Sequence, residues 1–125
     1  MIVNFKKLVS NAQTPTYTNS GDAGADLFAV ADILLPAHSM EVVATGITVE
    51  IPTGYLGYLV PQLNLAKLGI EISNSPGIIN SGYNEEILVV LVNTSATDNQ
   101  INAGDKVAQL VIQQFEAVDF QEVTA

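Results

Sequence analysis

Short runs of apolar residues recur along the chain and predict β-strands. Ile47, Val49 and Ile51 alternate with polar residues, which is the period-two pattern of a strand with one buried face. A Pro-Thr-Gly turn follows, and Tyr55–Val60 is predicted to be the returning strand of a hairpin.

Two further runs are apolar almost without interruption, at residues 87–92 and 107–112. Such runs indicate strands covered on both faces, by a second sheet or by a neighbouring subunit. Residues 63–69 carry the clearest helix pattern, about two turns stopped by Gly69. Because glycine- and proline-containing turns separate the runs, the pattern predicts an all-β barrel or sandwich that forms a single domain.

The last residues, 115–125, alternate only weakly and carry three acidic side chains. They are predicted to be either a final strand or an arm that contacts a neighbouring subunit. No linker, repeat or low-complexity segment interrupts the chain, so all 125 residues are assigned to one domain.

Composition supports a folded protein, and charge argues against several classes of partner. Hydrophobic residues make up 48% of the chain and charged residues 14%, which is enough apolar surface for a core. There is no cysteine, so disulfide frameworks and thiolate metal sites are excluded. The net charge is −9 and the four basic residues are all lysine, so we expect no nucleic-acid binding and no anionic membrane partner.

The sequence also bears on where the protein is found. No apolar run approaches the ~18 residues of a membrane span, and the first residues lack the layout of a signal peptide. We therefore expect a cytoplasmic protein or a component of a virus particle.

Four segments each join a glycine or proline turn to polar side chains. They are AGADL at 23–27, PQLNLA at 61–66, GIINSGY at 77–83 and GDKVAQL at 104–110. Taken singly, each has a structural explanation, since Asn-Ser-Gly forms hairpin turns and Gly-Asp commonly precedes a strand.

Together, in this order and at these spacings, the four segments resemble motifs one to four of the trimeric dUTPase family, and the third motif extends from Asn74 to Tyr83. The resemblance extends over residues 1–115. It implies a dUTPase-like jelly-roll β-barrel subunit of the β-clip type, assembled as a homotrimer with a site at each subunit interface. It also implies the family's activity, the hydrolysis of dUTP to dUMP and pyrophosphate with Mg²⁺.

The resemblance assigns roles to four side chains that match the family pattern. Asn74 stands where the family reads the uracil edge, and Tyr83 stands where a ring packs under the deoxyribose. Gln109 matches a glutamine near the phosphates. Asp26 matches an aspartate that helps hold magnesium through water, and its alternative interpretation is a residue that caps the turn after Gly24.

The phosphate end departs from the family pattern. Asn80 replaces the aspartate that activates water, Gln62 and Leu63 replace an arginine and a serine that contact phosphates, and Lys106 replaces another arginine. Asn64, in the same segment as Gln62, is a further candidate substrate contact. A carboxamide cannot act as a base near neutral pH, and lysine lacks the bidentate fork of arginine. No fifth, phosphate-covering motif follows motif four, so we expect no such lid.

From these departures we predict a homotrimer that does not hydrolyse dUTP efficiently and serves as a structural or partner-binding protein, for example in viral or phage assembly. No cofactor is then required, with Mg²⁺ present only when nucleotide is bound. One alternative is a nucleotide-binding regulator that recognises deoxyuridine nucleotides. The other is a working dUTP diphosphatase with a shifted base, Glu85 or Glu86.

Three smaller expectations follow from single residues. His38, the only histidine, is predicted to lie in a surface loop, which argues against a transition-metal site. Leu63 and Leu65 are predicted to fill space left by the missing phosphate contacts. The apolar runs at 87–92 and 107–112 are predicted to lie near the three-fold axis of a trimer.

Overall fold

Strands dominate the architecture. The computed structural model describes residues 1–125 and contains eleven strands and one short helix. In chain order the elements are β1 Asn4–Lys7, β2 Gly24–Phe28, β3 Ile33–Leu35, β4 Met40–Ala44, β5 Ile47–Glu50, β6 Tyr55–Val60, α1 Leu63–Lys67, β7 Ile70–Ile72, β8 Gly77–Ile79, β9 Leu88–Asn93, β10 Asn99–Ile101 and β11 Lys106–Gln114.

The strands form two main sheets and two ribbons, and every pairing is antiparallel. One sheet has the order β2-β11-β6-β8 and the other the order β4-β9-β7, while β1 pairs with β5 and β10 with β3. Between them lies one core of 19 buried apolar residues, in which Leu35, Val89, Leu91 and Val107 are fully buried. The predicted all-β class is confirmed.

The sequence patterns predicted the positions of β6 and α1 correctly. The strand predicted over Tyr55–Val60 is β6, and the predicted helix is α1, which ends before Gly69 because that residue has a φ of +78°. No helix in the chain has the length and apolar character needed to cross a bilayer.

The outer face of the β4-β9 pair is apolar and exposed. Val89 and Leu91 of β9 point into the core, whereas Leu88 is 42% exposed. On β4, Met40 and Val42 are exposed as well. Within one chain the run at 87–92 is therefore covered on one face only, and coverage of the other face by a neighbouring subunit stays a prediction.

The segment 115–125 forms no strand in the structure, because β11 ends at Gln114. Its apolar side chains lie in solvent, and Phe120 is 97% exposed. The predicted contact with a neighbouring subunit stays a prediction.

Candidate functional site

Strand register places motifs one, four and two side by side. Asp26 of β2 lies opposite Gln109 of β11, and Gln109 lies opposite Val60 at the end of β6. Gln62 follows two residues beyond Val60. A bulge in β11 between Lys106 and Ala108 shifts the register by one residue and so sets Gln109 against Asp26.

A network of hydrogen bonds surrounds the Asp26 carboxylate, which is only 2% exposed. Thr18 Oγ1 donates to Oδ2 at 2.5 Å, and Gln109 Nε2 donates to Oδ1 at 3.3 Å. The Lys106 ammonium lies 3.3 Å from Oδ2 and also donates to Thr18 Oγ1 at 3.1 Å. The cluster thus joins motif one to motif four through a threonine that lies in neither.

The pKa of Asp26 lies below its ordinary value. Burial raises the pKa, but the hydrogen bonds from Thr18, Gln109 and Lys106 and the positive charge of Lys106 together outweigh burial. Asp26 is therefore ionised at neutral pH, which favours an ionic role over that of a general acid.

Close packing explains the glycine of motif one. A Cβ atom on Gly24 would lie 2.8 Å from the Gln109 Oε1 atom, closer than side-chain atoms normally approach. Glycine at this position lets the Gln109 side chain lie against β2 and reach Asp26.

In motif two, Gln62 caps helix α1. Its Oε1 accepts hydrogen bonds from the backbone N–H groups of Asn64 at 2.8 Å and Leu65 at 3.2 Å, and the residue is 9% exposed. These two bonds occupy the carboxamide oxygen, whereas the Nε2 group of Gln62 donates no hydrogen bond to another protein group. The expectation that Leu63 fills internal space is wrong, because it is 65% exposed, whereas Leu65 does pack against the core.

Motif three contains strand β8, which pairs with β6, and the turn that follows it, while Asn74 at the start of the motif is attached to β9. The Asn74 carboxamide donates to the Leu88 carbonyl at 3.2 Å and accepts from the Val90 N–H at 3.1 Å, so both its groups are held by the backbone of β9. A Cβ on Gly77 would lie 2.5 Å from the Asn74 carbonyl oxygen. The tight turn therefore requires glycine at 77.

A small cavity of about 110 Å³, the motif-three cavity, lies beside strand β8. Asn74 and Tyr83 line it together with six apolar residues or glycines, which are Leu59, Gly77, Ile78, Ile79, Ile87 and Leu88. The Tyr83 hydroxyl donates to the Glu86 carbonyl at 2.9 Å, which fixes the ring. The cavity is smaller than the ~300 Å³ typical of whole-ligand sites, so it suits one small ring rather than a whole nucleotide.

Asn80 lies apart from the Asp26 cluster within one chain. It is exposed and follows Ile79, which lies opposite Gly57. Gly57 is three residues, or ~10 Å, along β6 from Val60. One chain therefore does not bring Asn80 together with Asp26, and only an arrangement of several copies could do so.

The two alternative general bases, Glu85 and Glu86, differ in whether the carboxylate is free of other hydrogen bonds. The Glu86 carboxylate accepts a hydrogen bond from the Gly46 N–H at 2.9 Å and is partly buried, so it has a structural role. Glu85 is exposed and makes no side-chain hydrogen bond. His38 is exposed in its loop, with a φ of 58°, as expected.

The residues present do not fit a Mg²⁺ ion held directly by the protein. Asp26 is the only carboxylate in its cluster, and its oxygens already accept from three donors, one of them a cation. No group of three His, Asp or Glu side chains lies close enough together to hold a metal. Mg²⁺ prefers six oxygen ligands in near-ideal octahedral geometry.

Thr18 is the one member of the cluster that sequence reasoning missed. It lies 88 positions from Lys106 and belongs to none of the four motifs. The only local hint is its place in the polar turn just before motif one.

Comparison with known proteins identifies the family. The dUTPase family model matches residues 10–125. The chain belongs to the dUTPase family. The jelly-roll fold of the β-clip type expected for this family agrees with the nearly all-β structure.

Bacterial relatives support the assignment. A protein of Mycobacterium marinum named deoxyuridine 5'-triphosphate nucleotidohydrolase is 41% identical over 113 residues, which cover 89% of this chain and 73% of the relative. A protein of the same name from Solibacter usitatus is 36% identical and covers 98% of this chain and 85% of its own length.

Solved structures of phage dUTPases have the same fold as this chain. A point variant of the dUTPase from phage phi11 of S. aureus superposes with a TM-score of 0.92 at 25% identity, covering 100% of this chain and 98% of that one. Its structure is described as revealing the coordination of a structural Mg(II) ion. The Staphylococcus bacteriophage 80alpha dUTPase, at 22% identity and a TM-score of 0.92, shows the same fold.

These findings correct the main functional prediction. A non-hydrolytic structural or partner-binding protein is the wrong conclusion, because relatives 36–41% identical over most of the chain are named nucleotidohydrolases. The prediction treated the replaced side chains as abolishing function. Loss of a general base typically lowers a rate ~10²–10⁴-fold, whereas whole enzymes accelerate reactions by ~10⁶–10¹⁷. Such losses are not additive, so substantial catalysis can remain.

Proposed function

We propose that this protein hydrolyses dUTP to dUMP and pyrophosphate. The observation that carries the proposal is the 41% identity to a deoxyuridine 5'-triphosphate nucleotidohydrolase over 89% of the chain. The Asp26 cluster and the motif-three cavity, both formed mainly by residues of the four motifs, support it.

The motif-three cavity is the proposed base subsite. Its apolar lining suits a planar ring, and its volume suits the uracil alone. Backbone groups of motif three would read the uracil edge, because both groups of the Asn74 side chain are held by β9. Tyr83, fixed through Glu86, would pack under the deoxyribose.

The phosphates are proposed to lie along the row formed by motifs four and two. Lys106 is the only cation in the four motifs. An ammonium has three donors, and two of them already face Thr18 and Asp26. The free Nε2 of Gln62 and the side chain of Asn64 add neutral donors, which hold a polyphosphate less strongly than arginine does.

Asn80 is proposed to position the attacking water. Its carboxamide oxygen can accept a hydrogen bond from water but cannot take the proton near neutral pH. Catalysis therefore lacks the contribution of a general base, ~10²–10⁴ in rate. Because Asn80 lies apart from Asp26 within one chain, it would act in a site shared with another copy.

The test is to restore the base. In Asn80→Asp, kcat for pyrophosphate release from dUTP should rise by ~10²–10⁴ with little change in KM. The matched control is Asn84→Asp, which adds the same charge to an exposed position four residues further along the chain and should leave kcat unchanged. An Asn80→Asp protein that folds but shows no rise in kcat would contradict the proposal.

The proposed assembly is a homotrimer. The outer face of the β4-β9 pair offers cross-strand apolar neighbours, Met40 with Val92 and Val42 with Val90, next to exposed Leu88. Such a contiguous apolar face marks an interaction surface. Light scattering should give the mass of three chains, and Val42→Asp should lower it. A wild-type monomer at micromolar concentration would refute this assembly.

The segment 115–125 is proposed to contact a neighbouring subunit in that assembly. Phe115, Val118, Phe120 and Val123 are all exposed, and an aromatic side chain contributes strongly when an interface buries it. In a folded trimer, Phe120→Ser should promote dissociation on dilution, whereas Gln121→Ser should not. Equal dissociation of the two variants would contradict the contact.

A further inference from the structure

Three asparagines of the chain precede a serine, at positions 19, 74 and 80, and none precedes a glycine. Asparagine is a chemically labile residue. A small following residue favours its deamidation, because the backbone nitrogen of that residue can then reach the carboxamide carbon with little steric hindrance. The reaction needs a carboxamide that is free to turn and a following N–H that no hydrogen bond holds.

Asn80 meets both requirements. It is exposed, and its carboxamide makes no hydrogen bond within the chain. Its backbone carbonyl accepts from the Tyr83 N–H at 3.0 Å, which closes a turn in which the Ser81 N–H donates to no protein group. Ser81 and Gly82 are exposed as well, and a Cβ on Gly82 would meet no atom within 4 Å. The turn therefore has room for the ring that the attack forms.

Asn74 has the same following residue but does not meet the first requirement. Its Nδ2 donates to the Leu88 carbonyl at 3.2 Å, and its Oδ1 accepts from the Val90 N–H at 3.1 Å. A rotation of the carboxamide toward the Ser75 nitrogen would break both hydrogen bonds. Asn74 is therefore a control for Asn80 within the same motif.

We propose that Asn80 deamidates spontaneously by attack of the Ser81 nitrogen, and that the aspartate so formed raises the rate of dUTP hydrolysis. The modification half stands on the geometry of the turn alone, whereas the activity half rests on the proposed function. The Ser81 nitrogen bonds to Asn80 Cγ, the carboxamide C–N bond breaks, and ammonia leaves with the Ser81 amide proton. Water then opens the cyclic imide at Cγ to give aspartate, or at the backbone carbonyl to give isoaspartate. Each event consumes one water and releases one ammonia.

The two products differ in what they can do at position 80. The aspartate side chain can take the proton of the attacking water, which the carboxamide cannot do near neutral pH. A general base contributes ~10²–10⁴ in rate, so conversion of about one chain in ten to aspartate should raise the average kcat about tenfold or more. Isoaspartate carries its carboxylate directly on Cα and lengthens the backbone, so it should not supply the base.

The first test maps the modification without any nucleotide. Wild-type protein is kept at 37 °C and about pH 8 for several weeks, digested, and analysed by mass spectrometry against synthetic aspartyl and isoaspartyl peptides, with a sample digested at once as the baseline. Asn80 should convert several times faster than Asn74. Ser81→Pro removes the attacking N–H and places proline at the second position of the turn, which favours it, so Asn80 should stay unmodified there.

Two results would overturn the modification half. One is wild-type protein in which Asn80 converts no faster than Asn74. The other is a folded Ser81→Pro protein in which Asn80 converts as fast as in the wild type. The comparison of Asn80 with Asn74 decides the matter alone where Ser81→Pro does not fold.

The second test follows pyrophosphate release from dUTP by samples withdrawn during the same incubation. The kcat of the wild type should rise in proportion to the fraction of aspartate at position 80, and Ser81→Pro should show no rise. Asn19 is exposed with a free carboxamide and should deamidate in both proteins, so it controls for the added charge. Aspartate that accumulates at position 80 without a rise in kcat, or conversion to isoaspartate alone, would overturn the activity half.

The engineered Asn80→Asp protein separates this inference from the proposed function. A high kcat in Asn80→Asp, together with an unmodified Asn80 in stored wild type, would overturn the inference and leave the proposed function standing. Absence of dUTP hydrolysis in every sample, Asn80→Asp included, would contradict the proposed function instead, and the peptide map would still decide the modification half.

Discussion

The ion pair between Lys106 and Asp26 allows a quantitative prediction of stability. The perturbation is Lys106→Met, which removes the ammonium 3.3 Å from Asp26 Oδ2 and leaves an unbranched apolar side chain. Asp26 then remains ionised and nearly buried, with only Thr18 and Gln109 as donors. We expect the free energy of unfolding to fall, because a buried carboxylate loses its counter-charge.

The magnitude follows from distance and exposure. Two unit charges 3.3 Å apart attract by ~5 kcal/mol at an effective dielectric constant of 20 and by ~1.3 kcal/mol in water. The Lys106 side chain is 41% exposed, so solvent screens the pair and the lower part of this range applies. We expect a loss of ~1–2 kcal/mol, which lowers Tm by ~4–8 °C for a domain of this size.

The pH dependence identifies the cause. The pKa of Asp26 is lowered in the folded state, so its contribution to stability is present above the unfolded value of ~3.9 and is lost as pH falls through the lower folded pKa. The difference between wild type and Lys106→Met should therefore be constant from about pH 5 to 8 and shrink below about pH 4.

The assay is thermal and chemical unfolding at matched protein concentration, since assembly makes Tm depend on concentration. Lys67→Met is the control, because Lys67 has no carboxylate within salt-bridge distance and should cost less than ~0.5 kcal/mol. An equal loss for both variants at pH 7, or a loss for Lys106→Met that persists undiminished at pH 3, would refute the reasoning.

Two further substitutions test the local geometry of the motifs. Gly77→Ala should lower stability by ~1–3 kcal/mol and weaken dUMP binding, because its Cβ would lie 2.5 Å from the Asn74 carbonyl oxygen, whereas Gly82→Ala has open space and should be neutral. Calorimetry with dUMP checks this, and equal effects of the two variants would count against the tight turn. Gln62→Ala should cost ~1 kcal/mol by removing the cap of α1, with exposed Gln113→Ala as a neutral control in denaturant unfolding. A neutral Gln62→Ala would show that the cap contributes nothing.

Local sequence patterns predicted the strands and the helix because these elements depend on periodicity and on turn residues. Tyr55–Val60 was located to the residue, and the short helix stops before Gly69 as expected. The strand predicted at 87–92 begins and ends one residue later in the structure, as β9, because Asn93 is fully buried and continues the inward face of that strand.

The candidate site was predicted only in part, because its geometry depends on contacts between distant segments. Lys106 and Thr18 are 88 positions apart, and no local pattern links them. The capping role of Gln62 and the attachment of Asn74 to β9 likewise depend on backbone partners that only the folded chain reveals. The functional prediction failed for a different reason. It assumed that replacing single catalytic groups abolishes the whole reaction.

The most direct test of the central claim is product analysis with the wild-type protein. Purified protein, incubated with dUTP and separated by ion-exchange chromatography, should yield dUMP and pyrophosphate in equal amounts, faster than a buffer blank and without dUDP. The rate should scale with protein concentration and fall in Tyr83→Ala. Intact dUTP after prolonged incubation with micromolar folded protein would contradict the account.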